Sequence, residues 1–421
     1  QYSGKDLAFA YGIISAVAAV GAALGPIVGG YFTTFHSWRL AFRTELVIAI
    51  IVLIMSRTLQ PDDKDADRPT FDYVGALLSI LGWSSIVLGI LMAQKYGFFL
   101  AQEPFIIGDV ELAPLGLSIS PIVVGFGVLM VMLLFRWEGR LEAENKDGLF
   151  RPSVLATPYL KPGIAVRFVQ MALTAGFLYV LPLLLQLTFE YTAMETGVAL
   201  MPFSLSLLLM AVAGARLSSR FYANRLIIAG LIVATAGLLS MGASIQPNVR
   251  AQDIVLGAVF GLGIGLIASQ LLNLVLSSVS PDQTAEAAGL NSTFEQMGNA
   301  IGVALLGTVM LGVLSVGLQQ GINASTIIPA EAKSPLTARV EDSVQLVSTT
   351  QLEEGLAAAG ADETISNELL DIYSLARTGA FKAAIGLLAF FALVALVLAT
   401  SLPNRKLVET EPEPAIAVPG G

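Results

Sequence analysis

Long apolar blocks separated by short polar stretches make up most of this chain. A helix rises 1.5 Å per residue, so about 20 apolar residues are needed to cross a hydrocarbon core of about 30 Å. About ten blocks reach that length, at 9–32, 39–59, 73–94, 115–135, 164–187, 196–215, 226–245, 254–277, 293–316 and 380–402. They are rich in Leu, Ala and Gly and continuously apolar, whereas a membrane barrel needs alternation. The pattern predicts an all-α integral membrane protein with about ten spans.

The polar connections differ in kind. Residues 60–72 are short and charged, and 136–163 are basic and punctuated by Pro152, Pro158 and Pro162, as in a linker with an interfacial helix. Residues 317–379 form a long acidic loop with helical periodicity over 351–377. With residue 1 placed in the cytoplasm, 15 of the 23 Lys and Arg residues fall on the cytoplasmic side. The positive-inside rule favours that orientation. It puts the long loop outside and the tail 403–421 in the cytoplasm.

Composition narrows the function classes. Charged residues are 13% of the chain, against about 25% in soluble domains. A formal charge of −9 argues against nucleic-acid binding, which wants a basic face. With no cysteine and only His36, disulfides, thiol chemistry and Cys/His metal sites are excluded. There is no GxxxxGK[ST] phosphate loop and no HExxH. A non-enzymatic protein without cofactor is expected, partnered by the lipid bilayer.

The first block carries the sharpest motif, Gly21-Ala-Ala-Leu-Gly25-Pro26-Ile-Val-Gly29-Gly30. Gly21, Gly25 and Gly29 repeat every fourth residue and line one helix face, which a neighbour can approach to backbone contact. Pro26 removes a backbone donor and bends the helix. Gly257, Gly261 and Gly265 repeat the close-packing pattern further on.

The motif resembles the antiporter signature of the fifth helix in drug:proton antiporters of the major facilitator superfamily. Ser37-Trp38-Arg39-Leu-Ala-Phe42, Ser280-Pro281-Asp282, the run from Ala287 to Thr293 and Gly298-Asn-Ala-Ile-Gly302-Val-Ala-Leu-Leu-Gly307 extend the resemblance to the fourteen-helix branch. The resemblance implies that these blocks are that branch's fifth to fourteenth helices, without the first four and their acidic and arginine motifs. Residues 1–60 would then end the N-terminal bundle, 61–135 would hold two linking helices, and 164–402 would form the C-terminal six-helix bundle. It implies proton-coupled efflux of hydrophobic or amphipathic small molecules by alternating access, in a monomer of the cell membrane. A lipid or metabolite exporter, or a truncated protein that does not transport, are the other outcomes. The second-half loop signature departs from the family, with Ser219 where an Asp is usual.

Ionisable residues inside apolar blocks are costly and face a cavity or a partner. Between Glu45 and Arg57 lie 11 residues, about 16 Å of helix, so Arg43 and Glu45 fall within or near the hydrocarbon zone. Glu45 can titrate with Arg43 beside it, or both can sit at the rim. Glu295 shares a face with Asn291, Gly298 and Gly302 near the predicted cytoplasmic mouth, as a coupling carboxylate or a solvated one. Gln170, Tyr179, Gln186, Gln270, Asn273, Asn291 and Asn299 are the candidates to line a substrate path, or to hydrogen-bond between helices.

Overall fold

The structure, a computed structural model, describes residues 21, 24–58, 71–99, 101, 105–107, 110–112, 116–218, 220–246, 255–280, 283–343 and 345–404. Expectations that fall on residues 1–20, on most of 60–72, on Ser219, on Pro281 and Asp282 and on 405–421 lie outside the described residues.

Helix α1 covers residues 24–35 and α2 Arg39–Ser56. The antiparallel pair α3 (Tyr73–Tyr96) and α4 (Ile119–Ala143) follows. A 3₁₀ turn at Pro152–Ala156 leads into α5 (Leu160–Thr188). Helices α6 (Ala193–Ala199), α7 (Met201–Leu217), α8 (Ala223–Ser244), α9 (Gly257–Leu276) and α10 (Thr284–Ala324) come next. Two short helices, α11 (Ala330–Ser343) and α12 (Thr349–Ala358), precede α13 (Glu363–Ala399).

Eight helical spans are long and apolar enough to cross a membrane among the described residues, with α6 and α7 forming one of them. These are the third to tenth predicted blocks. The second block forms α2, whose 18 residues include the charged Arg39, Arg43 and Glu45.

The core lies in the bundle of α5 and α7–α10 with α13, where α5 packs on α10, α9 on both α7 and α8, and α13 on α5, α8 and α10. Glycine sets these separations. A Cβ at Gly263 would stand 2.5 Å from the Ala234 nitrogen, and one at Gly237 2.5 Å from the Phe260 nitrogen, so α8 and α9 touch backbone to backbone. Gly261 would meet the Phe203 carbonyl at 2.5 Å and Gly265 the Ala211 nitrogen at 3.1 Å, which fixes the predicted glycine row of α9 against α7. Phe177, Phe203 and Phe260 fill the space beside them, with Phe177 4.5 Å from Phe260 and 4.9 Å from Phe203 between ring centroids.

Caps explain several helix starts. Asp72 accepts from the Gly75 N–H at 2.9 Å, Asp362 from the Thr364 N–H at 2.9 Å, and Thr192 with Glu195 forms a capping box. Pro202 opens α7, which separates it from α6 at Leu200.

The predicted long loop 317–379 is largely helical instead. Helix α10 runs 41 residues and α13 runs 37, so both continue past the apolar stretch that a bilayer would cover. The periodicity over 351–377 is divided between α12 and α13, because Gly360 takes φ +70° and Asp362 then starts a new helix. Segment 136–163 differs from expectation too: α4 persists to Ala143, and a 3₁₀ turn stands where an interfacial α-helix was expected. A small antiparallel hairpin, Phe105–Ile107 with Val110–Leu112, interrupts the otherwise helical fold, its β-branched residues flanking Gly108-Asp109.

Candidate functional site

Helices α5 and α10 are held together by small residues and by charge. A Cβ at Gly302 would come within 2.6 Å of the Ala172 carbonyl and 2.7 Å of its Cα, so the two backbones meet there. The row that carries Gly298 and Gly302 also carries Glu295, one turn before Gly298. Its carboxylate accepts from Arg167 of α5, Nη2 at 2.7 Å and Nε at 3.3 Å. The guanidinium continues to Gln170 Oε1 at 3.1 Å. Arg167 and Gln170 are buried, while the Glu295 side chain keeps 30% of its surface. An acid–base pair with a buried amide behind it therefore sits between two helices of the core. Gln170 Nε2 and Asn291 Oδ1 are buried without a hydrogen-bond partner among the described residues. Such groups are costly to leave unmade, and they mark where a water or a polar ligand group would be accepted.

A second polar point joins α7 to α9. Gln270 is fully buried, and its Nε2 donates to the Gly214 carbonyl at 2.8 Å and to Ser269 Oγ at 2.9 Å. The other path candidates are looser. Tyr179 is half-buried, Asn299 donates to Gln296 Oε1 at 2.9 Å, and Gln186 and Asn273 are exposed. Gln170 and Glu295 are thus brought together, whereas Gln186 and Asn273 join no cluster among the described residues.

The glycine motif of the first block is covered on one of its two rows among the described residues. A Cβ at Gly21, Gly25 or Gly29 would meet nothing within 4 Å. The close approach is on the next row round the helix, at Pro26, Gly30 and Thr34. A Cβ at Gly30 would sit 2.5 Å from the Ala193 carbonyl, and one at Gly197 2.5 Å from the Pro26 carbonyl. Thr34 Oγ1 accepts from the Met194 N–H at 2.9 Å. One residue of helix turns the surface by about 100°, so the row at 26, 30 and 34 meets α6 and the 21–25–29 row faces away. Arg43 and Glu45 are exposed on α2, which buries no residue, and they make no ion pair among the described residues.

Sequence reading missed three charged groups. Arg167 counted only toward the basic residues of the cytoplasmic side; its position three before Gln170, inside the apolar block 164–187, was the available signal. Arg377 is buried and donates to the Leu187 carbonyl at 2.7 Å and to Thr349 Oγ1 at 3.1 Å, tying α13 to α5 and α12. Glu138, near the end of α4, is 1% exposed.

A multi-pass helical bundle with glycine-set contacts and a charged pair between core helices has the build of a membrane transporter. The chain belongs to the Major Facilitator Superfamily, whose family profile matches residues 1–303. It is similar to the probable actinorhodin transporter of Streptomyces coelicolor, 28% identical over 379 residues that cover 88% of this chain and 58% of that protein. Similarity to the puromycin resistance protein pur8 of Streptomyces alboniger is 30% over 315 residues, 73% of this chain and 58% of that protein. The multidrug efflux pump LfrA of Mycolicibacterium smegmatis is 23% identical over 361 residues, 85% and 66% of the two chains. This chain therefore spans 58% of the length of the first two relatives.

Proposed function

We propose that this chain forms the larger part of a secondary exporter that moves hydrophobic or amphipathic small molecules out of the cell in exchange for protons. Its helices correspond in this reading to the fifth to fourteenth of the fourteen-helix drug:proton antiporter branch. Residues 1–60 close the N-terminal bundle, 61–135 link the two bundles, and 164–402 form the C-terminal bundle. The protein works as a monomer in the cell membrane, with the linker 136–163 and the tail on the cytoplasmic side and the segment 317–379 on the outer side. Names given to its relatives, for actinorhodin transport, puromycin resistance and multidrug efflux, support the substrate class.

The observation that carries the proton part is the Arg167–Glu295 pair between α5 and α10. A carboxylate that exchanges a protein cation for a proton changes what holds two helices together, which is what alternating access needs. Glu295 takes that role, with Gln170, Asn291 and Gln270 as polar points of the path, and Glu45 with Arg43 as the auxiliary pair. Tyr179, Gln186, Asn273 and Asn299 line its outer parts. Gly21, Gly25, Pro26, Gly29 and Gly30 form the antiporter stripe on α1.

The test is proton-driven ethidium export in proteoliposomes that hold this chain together with an upstream four-helix segment from a relative. Uphill export is expected there, with loss of uphill export and retained ethidium binding in Glu295→Gln. Unchanged uphill export in that variant would remove Glu295 from coupling, and no export of any tested lipophilic cation by the restored protein would reject the reading.

A further inference from the structure

The two linking helices enclose a feature that the export reading does not use. Asp72 caps α3, and its carboxylate accepts from the Trp137 indole N–H, 3.1 Å to Oδ1 and 3.0 Å to Oδ2. The next residue on α4, Glu138, is buried. A Cβ at Gly75 would touch both carboxyl groups, with Glu138 Oε1 at 2.6 Å. The loop 144–151 folds back over them, where the Leu149 N–H donates to Glu138 Oε1 at 3.3 Å and Gly148 leaves no room for a Cβ beside Oε2. Glu138 Oε2 is buried without a hydrogen-bond partner among the described residues, and Glu138 is one of the residues lining a cavity of about 180 Å³.

The charged groups around that cavity are Glu142 on α4, Lys146, Asp147 and Arg151 in the loop, and Glu286 on α10. Both cations pair elsewhere, Lys146 with Glu144 at 2.7 Å and Arg151 with Glu286 at 3.5 Å. Glu142 accepts from Ser153. No cation lies within ion-pair distance of Glu138 among the described residues.

Two facing carboxylates, Glu138 buried and Asp72 half-buried, with no cation between them repel each other when both are charged, and one shared proton relieves this by letting one oxygen donate to the other. We propose that Asp72 and Glu138 form a proton-binding site at the base of the linking helices, holding one proton between them. The proton arrives from water through the adjacent cavity and leaves the same way. Its loss sets two negative charges face to face, and the loop 144–151, which leads through Arg151 to Glu286 on α10, moves off Glu138. The proposal stands apart from the export reading, because its readout is not transport.

Trp137 is the built-in reporter. The chain has three tryptophans, so a Trp38→Phe/Trp83→Phe protein leaves only Trp137. Its emission is followed in lipid nanodiscs from about pH 5 to about pH 9, alongside the infrared carbonyl band of protonated carboxyl groups. A single emission transition is expected, in step with bleaching of that band. It should vanish in Glu138→Gln and move to lower pH in Asp72→Asn, where the facing charge is gone. No transition, or an unchanged one in Glu138→Gln, would overturn the proposal. Should that variant fail to fold, the infrared titration of the unmodified pair decides, since absence of a bleaching carboxyl band alone rejects a shared proton.

Discussion

Arg167 and Glu295 meet at 2.7 Å, and each is partly withdrawn from solvent. Removing one partner strands the other, which costs about 1–3 kcal/mol, while removing both relieves the stranded charge. Arg167→Met alone is therefore expected to lower the unfolding temperature in detergent, and Arg167→Met with Glu295→Met to recover much of the loss. Additive losses in that double-mutant cycle would show that the pair does not couple. Glu45 is the contrast. Exposed on α2 and without an ion-pair partner among the described residues, it should tolerate Glu45→Gln with a stability change within about 0.5 kcal/mol. Its proposed auxiliary role is read separately, from substrate-induced proton release in proteoliposomes. Both residues were visible in the sequence as charges inside apolar blocks. Their difference was not, because a partner 128 positions away in the chain has no local signature.

The contact between α1 and α6 shows how one residue of rotation decides an element's role. Gly30 admits the Ala193 carbonyl, and a Cβ at Gly25 would have no described atom of another element within 4 Å. A bifunctional thiol reagent should bridge Thr34→Cys and Met194→Cys, and no native cysteine competes with it. Adding Gly30→Leu is expected to abolish the bridge, and adding Gly25→Leu to leave it intact. Equal bridging in both would place the contact face elsewhere. A second element, α12, is held by Glu190, which accepts from the Thr350 N–H at 2.9 Å and from its hydroxyl at 2.8 Å. Those two bonds, the backbone one foremost, hold the Glu190 carboxyl below the usual range. A depressed carboxyl stabilises docking fully above its ordinary range and loses that contribution as pH falls through the lowered value. Hydrogen exchange in 349–358 should therefore show protection retained at neutral pH and lost in strong acid, relative to Glu190→Gln at the same pH. The same protection in both proteins would remove Glu190 from the docking.

At the scale of the whole molecule, the polar contacts sort to two ends. Thr34 with Met194, Glu190 with Thr350 and Arg377 with Leu187 lie at one end, while Glu138 with Leu149 and Arg151 with Glu286 lie at the other. In the proposed orientation, which the distribution of Lys and Arg supports, Lys146 lies in the cytoplasm and Glu354 outside. Lys146→Cys should react with an impermeant maleimide only in inside-out vesicles, and Glu354→Cys only in intact cells. The reverse pattern would invert the topology. The sequence alone determined the membrane class and the third to tenth spans, because a bilayer imposes one local demand, an apolar run of sufficient length, on every crossing segment. It also marked the bare helix face at Gly257, Gly261 and Gly265, although the equally bare face at Gly21, Gly25 and Gly29 shows that such a face permits close packing without selecting it. What only tertiary structure decided was pairing: Arg167 with Glu295, Asp72 with Glu138, and α6 with the 26–30–34 row of α1 instead of the glycine stripe. Those outcomes depend on the rotation and depth of one helix against another, which are set by contacts between segments far apart in the chain. No periodicity within a single helix encodes them.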